Sequence, residues 1–266
     1  MNAKAGQHSN FFKEFAKNRQ YIFYYAQSTL KQRVAGNYLG LLWLWLQPFM
    51  FMLIYSFVVT KIFISTIPNI NVYVLIGLNA WSLISRSIQM SAMSITRNKS
   101  LFERVYFHKF VYPTINVVSY IYEFFISTTL VLVIMLFAGI PLTWHFLEML
   151  PVLGVTTLFA YGFALISAHI GVYLFDLANI LDFTLRFIFY LSPVMWSTDF
   201  IKDDRLRQLS RFNPVAVLFK AFRDCMMYGK SPNYLHLLII AAASCLVIYV
   251  GFKMISRREH EYARII

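Results

Sequence analysis

Charge is scarce in this chain. Only 14% of its 266 residues are Asp, Glu, Lys or Arg and 59% are hydrophobic, against about 25% charged in a typical soluble domain. That balance excludes a free-standing soluble globule and places the chain in lipid, as one membrane domain over residues 1–266 with no separate soluble core. Acid is the scarcer sign: 12 acidic residues face 24 basic ones, for a formal net charge of +12. The basic residues mostly flank apolar runs, where the positive-inside bias operates, so the excess reads as topology and no nucleic-acid partner is expected. The two cysteines, Cys225 and Cys245, form no Cys-x-x-Cys and have no histidine cluster nearby, so neither a disulfide framework nor a metal site is signalled. No Gly-x-x-x-x-Gly-Lys-Ser/Thr loop occurs, so the chain has nothing to cradle nucleotide phosphates, and ATP, if used, needs a partner. The N-terminus lacks a short apolar core with a small-residue cleavage site, so no removable signal peptide is expected. Internal repeats and low-complexity stretches are also missing.

What is present is a series of long apolar runs. A spanning helix needs about 20 mainly apolar residues, and six candidates emerge, at 39–64, 72–94, 111–140, 147–175, 180–196 and 234–255. An even count puts both termini on one side of the membrane. Lys4, Lys13, Lys17, Arg19, Lys31 and Arg33 precede the first run against Glu14 alone, and Arg257, Arg258 and Arg264 follow the last against Glu259 and Glu261. Both ends therefore read as cytoplasmic, in the inner membrane. The turn carrying Arg97, Lys99, Arg104 and Lys109 agrees, and the turns near Pro68 and Pro141 read as external.

One segment departs from the rule. Residues 197–233 hold seven basic residues against four aspartates, yet the count places them outside. The run NPVAVLFKAFRDCMMYG is too short and too charged to span, and two short helices dipping into the outer half of the membrane, over about 199–230, would reconcile charge with count. Before the first span, Phe11, Phe15, Ile22, Ala26 and Leu30 recur at helical spacing with Lys13, Lys17, Gln20, Gln27 and Lys31 elsewhere on the wheel. That pattern predicts a basic amphipathic helix over 11–33 lying on the cytoplasmic leaflet, with an ordinary soluble helix as the alternative.

Ionisable residues within spans are costly unless paired or wet. Arg86 and Glu123 both fall towards the cytoplasmic halves of their spans, and a structural pair across neighbouring helices is the preferred reading over a substrate contact. His169, Asp176, Asp182 and Arg186 gather around the turn between the fourth and fifth spans, where an interface-level polar network is expected. Asp203 and Asp204 sit in KDDRLR, which alternates in sign as a solvated face does. No catalytic residue is identified, and no Ser-His-Asp arrangement can be argued from residue order. Trp43, Trp81, Trp144 and Trp196 fall near span ends, as an interfacial belt requires. Trp45, Phe49, Phe183, Phe187 and Tyr190 fall within spans, where packing is the simpler use.

Five stretches in the same order resemble one family. KQRVAGNYLGLLWLWLQP is similar to the approach to the first span in the permease subunits of polysaccharide-type ABC-2 exporters, which move O-antigen, capsule or teichoic acid chains. NKSLFERVYFHKFVYP resembles that family's coupling loop, here about 96–110. FYLSPVMW resembles the end of its fifth span, NPVAVLFKAFR its outer re-entrant helices, and RREHEYA its cytoplasmic tail. Two departures stand out: His108 occupies a place where a proline is expected, and no arginine precedes Asp176.

The resemblance implies an all-α membrane protein of six transmembrane helices, with an N-terminal interfacial helix and re-entrant outer helices. It implies a homodimer around a central path, each copy docked to an ATP-binding subunit that holds ATP and magnesium, with no cofactor on this chain. Leu101, Phe102, Val105 and Tyr106 would offer apolar contact to that subunit, with Glu103 and Arg104 orienting it. Trp45, Phe49, Phe183, Phe187 and Tyr190 become candidates for lining a path that a lipid-linked polysaccharide traverses through many weak contacts. Gly36 and Gly40 would bend the chain from the membrane plane into the bilayer. Lys31 and Arg33 would then stand at headgroup height, as a gate for the diphosphate of the carrier lipid. An ABC-2 exporter of a small lipid or drug, or a membrane transferase acting on lipid-linked sugars, are the rival readings; the latter lacks convincing paired carboxylates or a His-Asp dyad.

Overall fold

The computed structural model describes residues 11–62, 67–98, 108–194, 196 and 213–265, and these are almost entirely helical. Helix α1 covers Phe11–Val34. A short 3-10 turn, Gly40–Leu42, leads into α2, Trp43–Phe57, which continues through a π turn at Val58–Ile62. Next come α3, Ile70–Ala92, the single turn α4, Ser94–Arg97, and α5, Val111–Phe137. A 3-10 turn at Trp144–Glu148 opens α6, Met149–Tyr173, followed by α7, Leu177–Leu191. The last two are α8, Pro214–Met226, and α9, Tyr234–Ile265.

The helix ends follow from local chemistry. Pro113 and Pro151 stand in the first turns of α5 and α6, where an amide would have no intrahelical acceptor in any case. Pro214 takes the first position of α8, and the Asn213 side chain caps that helix by accepting the Val215 N–H at 3.0 Å. Helix α7 stops at Leu191 because Ser192 precedes Pro193, which forces it into extended backbone at φ −90 and ψ 148.

Among the described residues four segments are long and apolar enough to cross a membrane: Gly40–Lys61, Val111–Phe137, Trp144–Tyr173 and Tyr234–Tyr262. The second expected span corresponds to α3, which at 23 residues has the length but carries a stripe of polar side chains. The fifth, expected at 180–196, is cut short: α7 has 15 residues, about 22 Å at ~1.5 Å per residue, less than the ~30 Å hydrocarbon layer. The tail expected after residue 255 is not a separate element either, since α9 runs unbroken to Ile265.

Two apolar clusters hold the bundle. One is built on α3, whose Val72, Val74, Leu75, Leu83 and Ile84 are fully or almost fully buried among α5, α6 and α8. The other gathers Ile95, Phe110, Val111, Ile115, Leu165, Ala168, Ile255 and Tyr262 at the end where α4 finishes and α5 begins. Helix α1 closes this second cluster: Ile22 and Ala26 are buried in it, and Leu30 is buried on the same stripe. From Ile22 to Leu30 the apolar stripe expected to meet lipid is thus covered by protein, chiefly α5, while Phe23 and Tyr24 of α1 are exposed. At the opposite edge α2 is barely covered, with 17% of its most apolar stretch buried against 50% for Trp144–Tyr173.

Candidate functional site

Four helices turn polar residues toward one cavity of about 510 Å³. Helix α3 contributes Asn79, Ser82, Arg86 and Gln89, spaced three or four apart and so aligned on one face, with Ser85 beside them. Helix α5 adds Glu123 and Ser127, α7 adds Asp182 and Arg186, and α2 adds Gln47 beside Pro48. Between the polar groups stand Phe51, Tyr55, Trp81, Phe189 and Tyr190, with Phe51 stacked on Tyr55 at 5.9 Å and Trp81 tilted against Phe189 at 5.8 Å.

Glu123 is the centre of the charge network. Its Oε1 lies 2.6 Å from Arg86 Nη1, and its Oε2 lies 3.3 Å from Arg33 Nη1 at the last turn of α1. Arg86 also donates through Nη2 to Gln47 Oε1 at 2.9 Å, and the Arg33 guanidinium lies 3.9 Å above the Tyr120 ring. The Arg33 Nη2 is buried without an acceptor among the described residues. On the far wall Asp182 pairs with Arg186 at 2.8 Å and accepts from Gln89 at 3.2 Å. Five ionised groups thus border or reach this space, and their sum is one positive charge.

A second arginine site lies apart from the cavity. Arg223 of α8 is 4% exposed and donates to the carbonyls of Pro193 at 2.9 Å, Val194 at 2.6 Å and Tyr73 at 3.3 Å, with its guanidinium 3.5 Å over the Tyr73 ring. The carbonyls of Pro193 and Val194 lie just past the end of α7, where no further helical turn supplies donors. Gly77 leaves the room: a Cβ there would sit 2.7 Å from both Arg223 Nη2 and the Val194 carbonyl. Tyr73 completes the strap by donating its hydroxyl to the Trp196 carbonyl at 3.0 Å.

At the other end Glu259 of α9 accepts the Lys109 amide at 3.4 Å and meets His108 Nδ1 at 3.2 Å. Burial pushes the Lys109 ammonium below its ordinary pKa, and the Glu259 carboxylate offsets part of that shift.

The residues singled out from sequence are distributed as follows. Arg86 and Glu123 meet, and Arg33 joins them. Lys31 is exposed on α1 and outside the network. Gly36 and Gly40 adopt positive φ of 81 and 49, and among the described residues no atom beyond their own chain neighbours lies within 4 Å of a Cβ built on either, so they serve a turn and not close helix packing. Of the five aromatic candidates, Tyr190 alone borders the cavity. Trp45 donates its indole N–H to the Ile126 carbonyl at 2.8 Å, Phe49 packs on the core, and Phe183 and Phe187 are 76% and 60% exposed along α7. The expected group at the α6–α7 turn divides: Asp182 and Arg186 pair, but His169 turns to the Tyr262 hydroxyl at 2.5 Å, and Asp176 is exposed. Leu101, Phe102, Glu103, Arg104, Val105 and Tyr106, together with Asp203 and Asp204, lie outside the described residues. Asn79, Gln89 and Gly77 were missed, although the three-and-four spacing from Asn79 to Gln89 was legible as a polar stripe.

Residues 20–227 match the ABC-2 type transporter family. The chain is 29% identical over 252 residues to the O-antigen export system permease protein RfbA of Myxococcus xanthus, covering 94% of this chain and 97% of that protein. Two Klebsiella pneumoniae proteins of the same name are 24% and 22% identical over 238 residues, with 89% of this chain and 91% of each relative covered.

Proposed function

Because this chain belongs to the ABC-2 type transporter family, we propose that the cavity between α2, α3, α5 and α7 is one wall of the path along which it moves its substrate. The chain is a membrane permease of polysaccharide export, similar along nearly its whole length to O-antigen export permeases. The observation that carries the path is the composition of this cavity. Arginines, carboxylates and amides alternate with aromatic faces, the combination that suits sugar rings, whose hydroxyls take hydrogen bonds and whose flat faces stack on aromatic side chains.

The exposed side of α7 supports the same placement. Asp182 and Arg186 are 44% and 72% exposed beside Phe183 and Phe187. An ion pair turned to hydrocarbon costs several kcal/mol or more unless water or protein meets it, so this face borders a wet path. Two copies of the chain would enclose that path with their α2 and α7 faces, where coverage within one chain is least. In this arrangement α3 and the short α7 complete six membrane segments, α8 is the re-entrant outer element, and both termini are cytoplasmic. The substrate is a lipid-linked polysaccharide that reaches the path past α1, with Lys31 and Arg33 at its mouth. An ATP-binding partner drives the cycle through residues 101–106, since this sequence carries no Gly-x-x-x-x-Gly-Lys-Ser/Thr loop.

Depletion of the chain in cells tests the reading directly. Polyprenyl-linked glycan is expected to accumulate on the cytoplasmic face of the membrane while surface glycan falls. Unchanged surface glycan without accumulation would sink it.

A further inference from the structure

One carboxylate holds two arginines from two different helices, and it holds them unequally. Glu123 lies 2.6 Å from Arg86 but 3.3 Å from Arg33, and the second Arg33 terminal nitrogen is buried with no acceptor among the described residues. The two guanidiniums and one carboxylate leave a surplus positive charge beside a cavity of about 510 Å³ that Arg86 and Glu123 line. An unsatisfied buried donor costs free energy, and a carboxylate has only two oxygens, both already in use. A phosphate has more acceptor oxygens, and its geometry matches the planar donor fork of arginine.

We infer that Glu123 is a displaceable counterion: it occupies Arg33 and Arg86 in the empty protein and yields them to the phosphate of an incoming lipid headgroup. Arg33 and Arg86 are the ligand-binding groups, with Gln47 as a further donor once Arg86 releases it. Glu123 is the positioning residue, which keeps the two cations together in the absence of substrate and sets the affinity by competing with it. The source of the phosphate, a polyprenyl diphosphate carrier, rests on the reading of the preceding section.

The test is a binding titration of the full-length chain in phosphatidylcholine nanodiscs with farnesyl diphosphate, short-chain phosphatidylglycerol and farnesol, for wild type, Glu123→Gln and Glu123→Asp. Glu123→Gln is expected to bind farnesyl diphosphate about tenfold more tightly than wild type, which corresponds to ~1.4 kcal/mol, with farnesol unchanged. Its melting temperature is expected to fall without ligand and to recover with farnesyl diphosphate. Should Glu123→Gln fail to fold, Glu123→Asp, whose shorter side chain cannot reach both arginines, is expected to gain about threefold. A folded variant that gains for neither farnesyl diphosphate nor phosphatidylglycerol overturns the inference, as does an equal gain for farnesol. A gain for phosphatidylglycerol alone supports the counterion and assigns the headgroup to a bilayer lipid. Wild-type protein that binds the diphosphate no better than farnesol removes the carrier reading, whatever Glu123 does.

Discussion

The two arginine sites of this protein solve the same problem in opposite ways. Arg223 is taken out of water completely, and its charge is spread over three backbone carbonyls and one aromatic face. Backbone carbonyls cannot leave, so that site is a fixed strap between α3, α8 and the end of α7. Arg33 and Arg86 are 22% and 34% exposed and share a single carboxylate at the end of a rotatable side chain. A side-chain partner can be exchanged, so the second site suits work that needs a cation first held and then released. The comparison separates an arginine fixed as structure from the pair proposed to bind a phosphate.

The largest effect is expected from Arg223→Ala, which strands the buried carbonyls of Pro193 and Val194 at ~1–3 kcal/mol each, whereas the Tyr73 carbonyl keeps its helical donor. It should abolish a monodisperse folded peak on size exclusion in detergent, and Arg223→Lys should restore it only in part because an ammonium cannot span the same acceptors. A folded, thermally unshifted Arg223→Ala protein would erase the distinction between the sites.

Gly77→Ala comes next. Its methyl group would meet Arg223 and the Val194 carbonyl at 2.7 Å, an overpacking worth about 1–3 kcal/mol. A clear drop in melting temperature is expected, with Arg33-dependent diphosphate binding retained in the protein that remains folded.

The smallest change in stability belongs to Asp182→Asn. That exposed pair with Arg186 contributes about 0–1 kcal/mol, so the melting temperature should scarcely move. Transport should nevertheless slow if this face borders the path, and a reconstituted export assay checks it. Unaltered transport would place the ion pair outside the route.

Much of the architecture was legible from composition and periodicity. Runs of apolar residues marked the long helices, and the Arg86–Glu123 pairing was readable because two unpaired charges in adjacent spans are too costly to leave apart. The shortening of α7 was written at Ser192-Pro193, a local signal that a count of apolar residues overlooks. Other features had no local signature. The stripe of α1 has the same pattern whether lipid or protein covers it, since both are apolar. Arg223 read as one more basic residue in an outward segment, because its partners are backbone carbonyls 29, 30 and 150 residues away, and carbonyls are present at every position.

By itself, then, the sequence determined that this is a helical membrane chain, where its long apolar segments lie, and which side chains are too polar to face lipid alone. Those properties follow from transfer free energies and helix geometry, which act residue by residue. Which helices became neighbours, and therefore that Glu123 answers Arg33 as well as Arg86 while Arg223 answers backbone carbonyls and the Tyr73 ring, was decided by tertiary packing. The physical reason is that electrostatic and hydrogen-bond energies depend on distances of a few ångströms between groups far apart in the chain, and only the assembled bundle sets those distances.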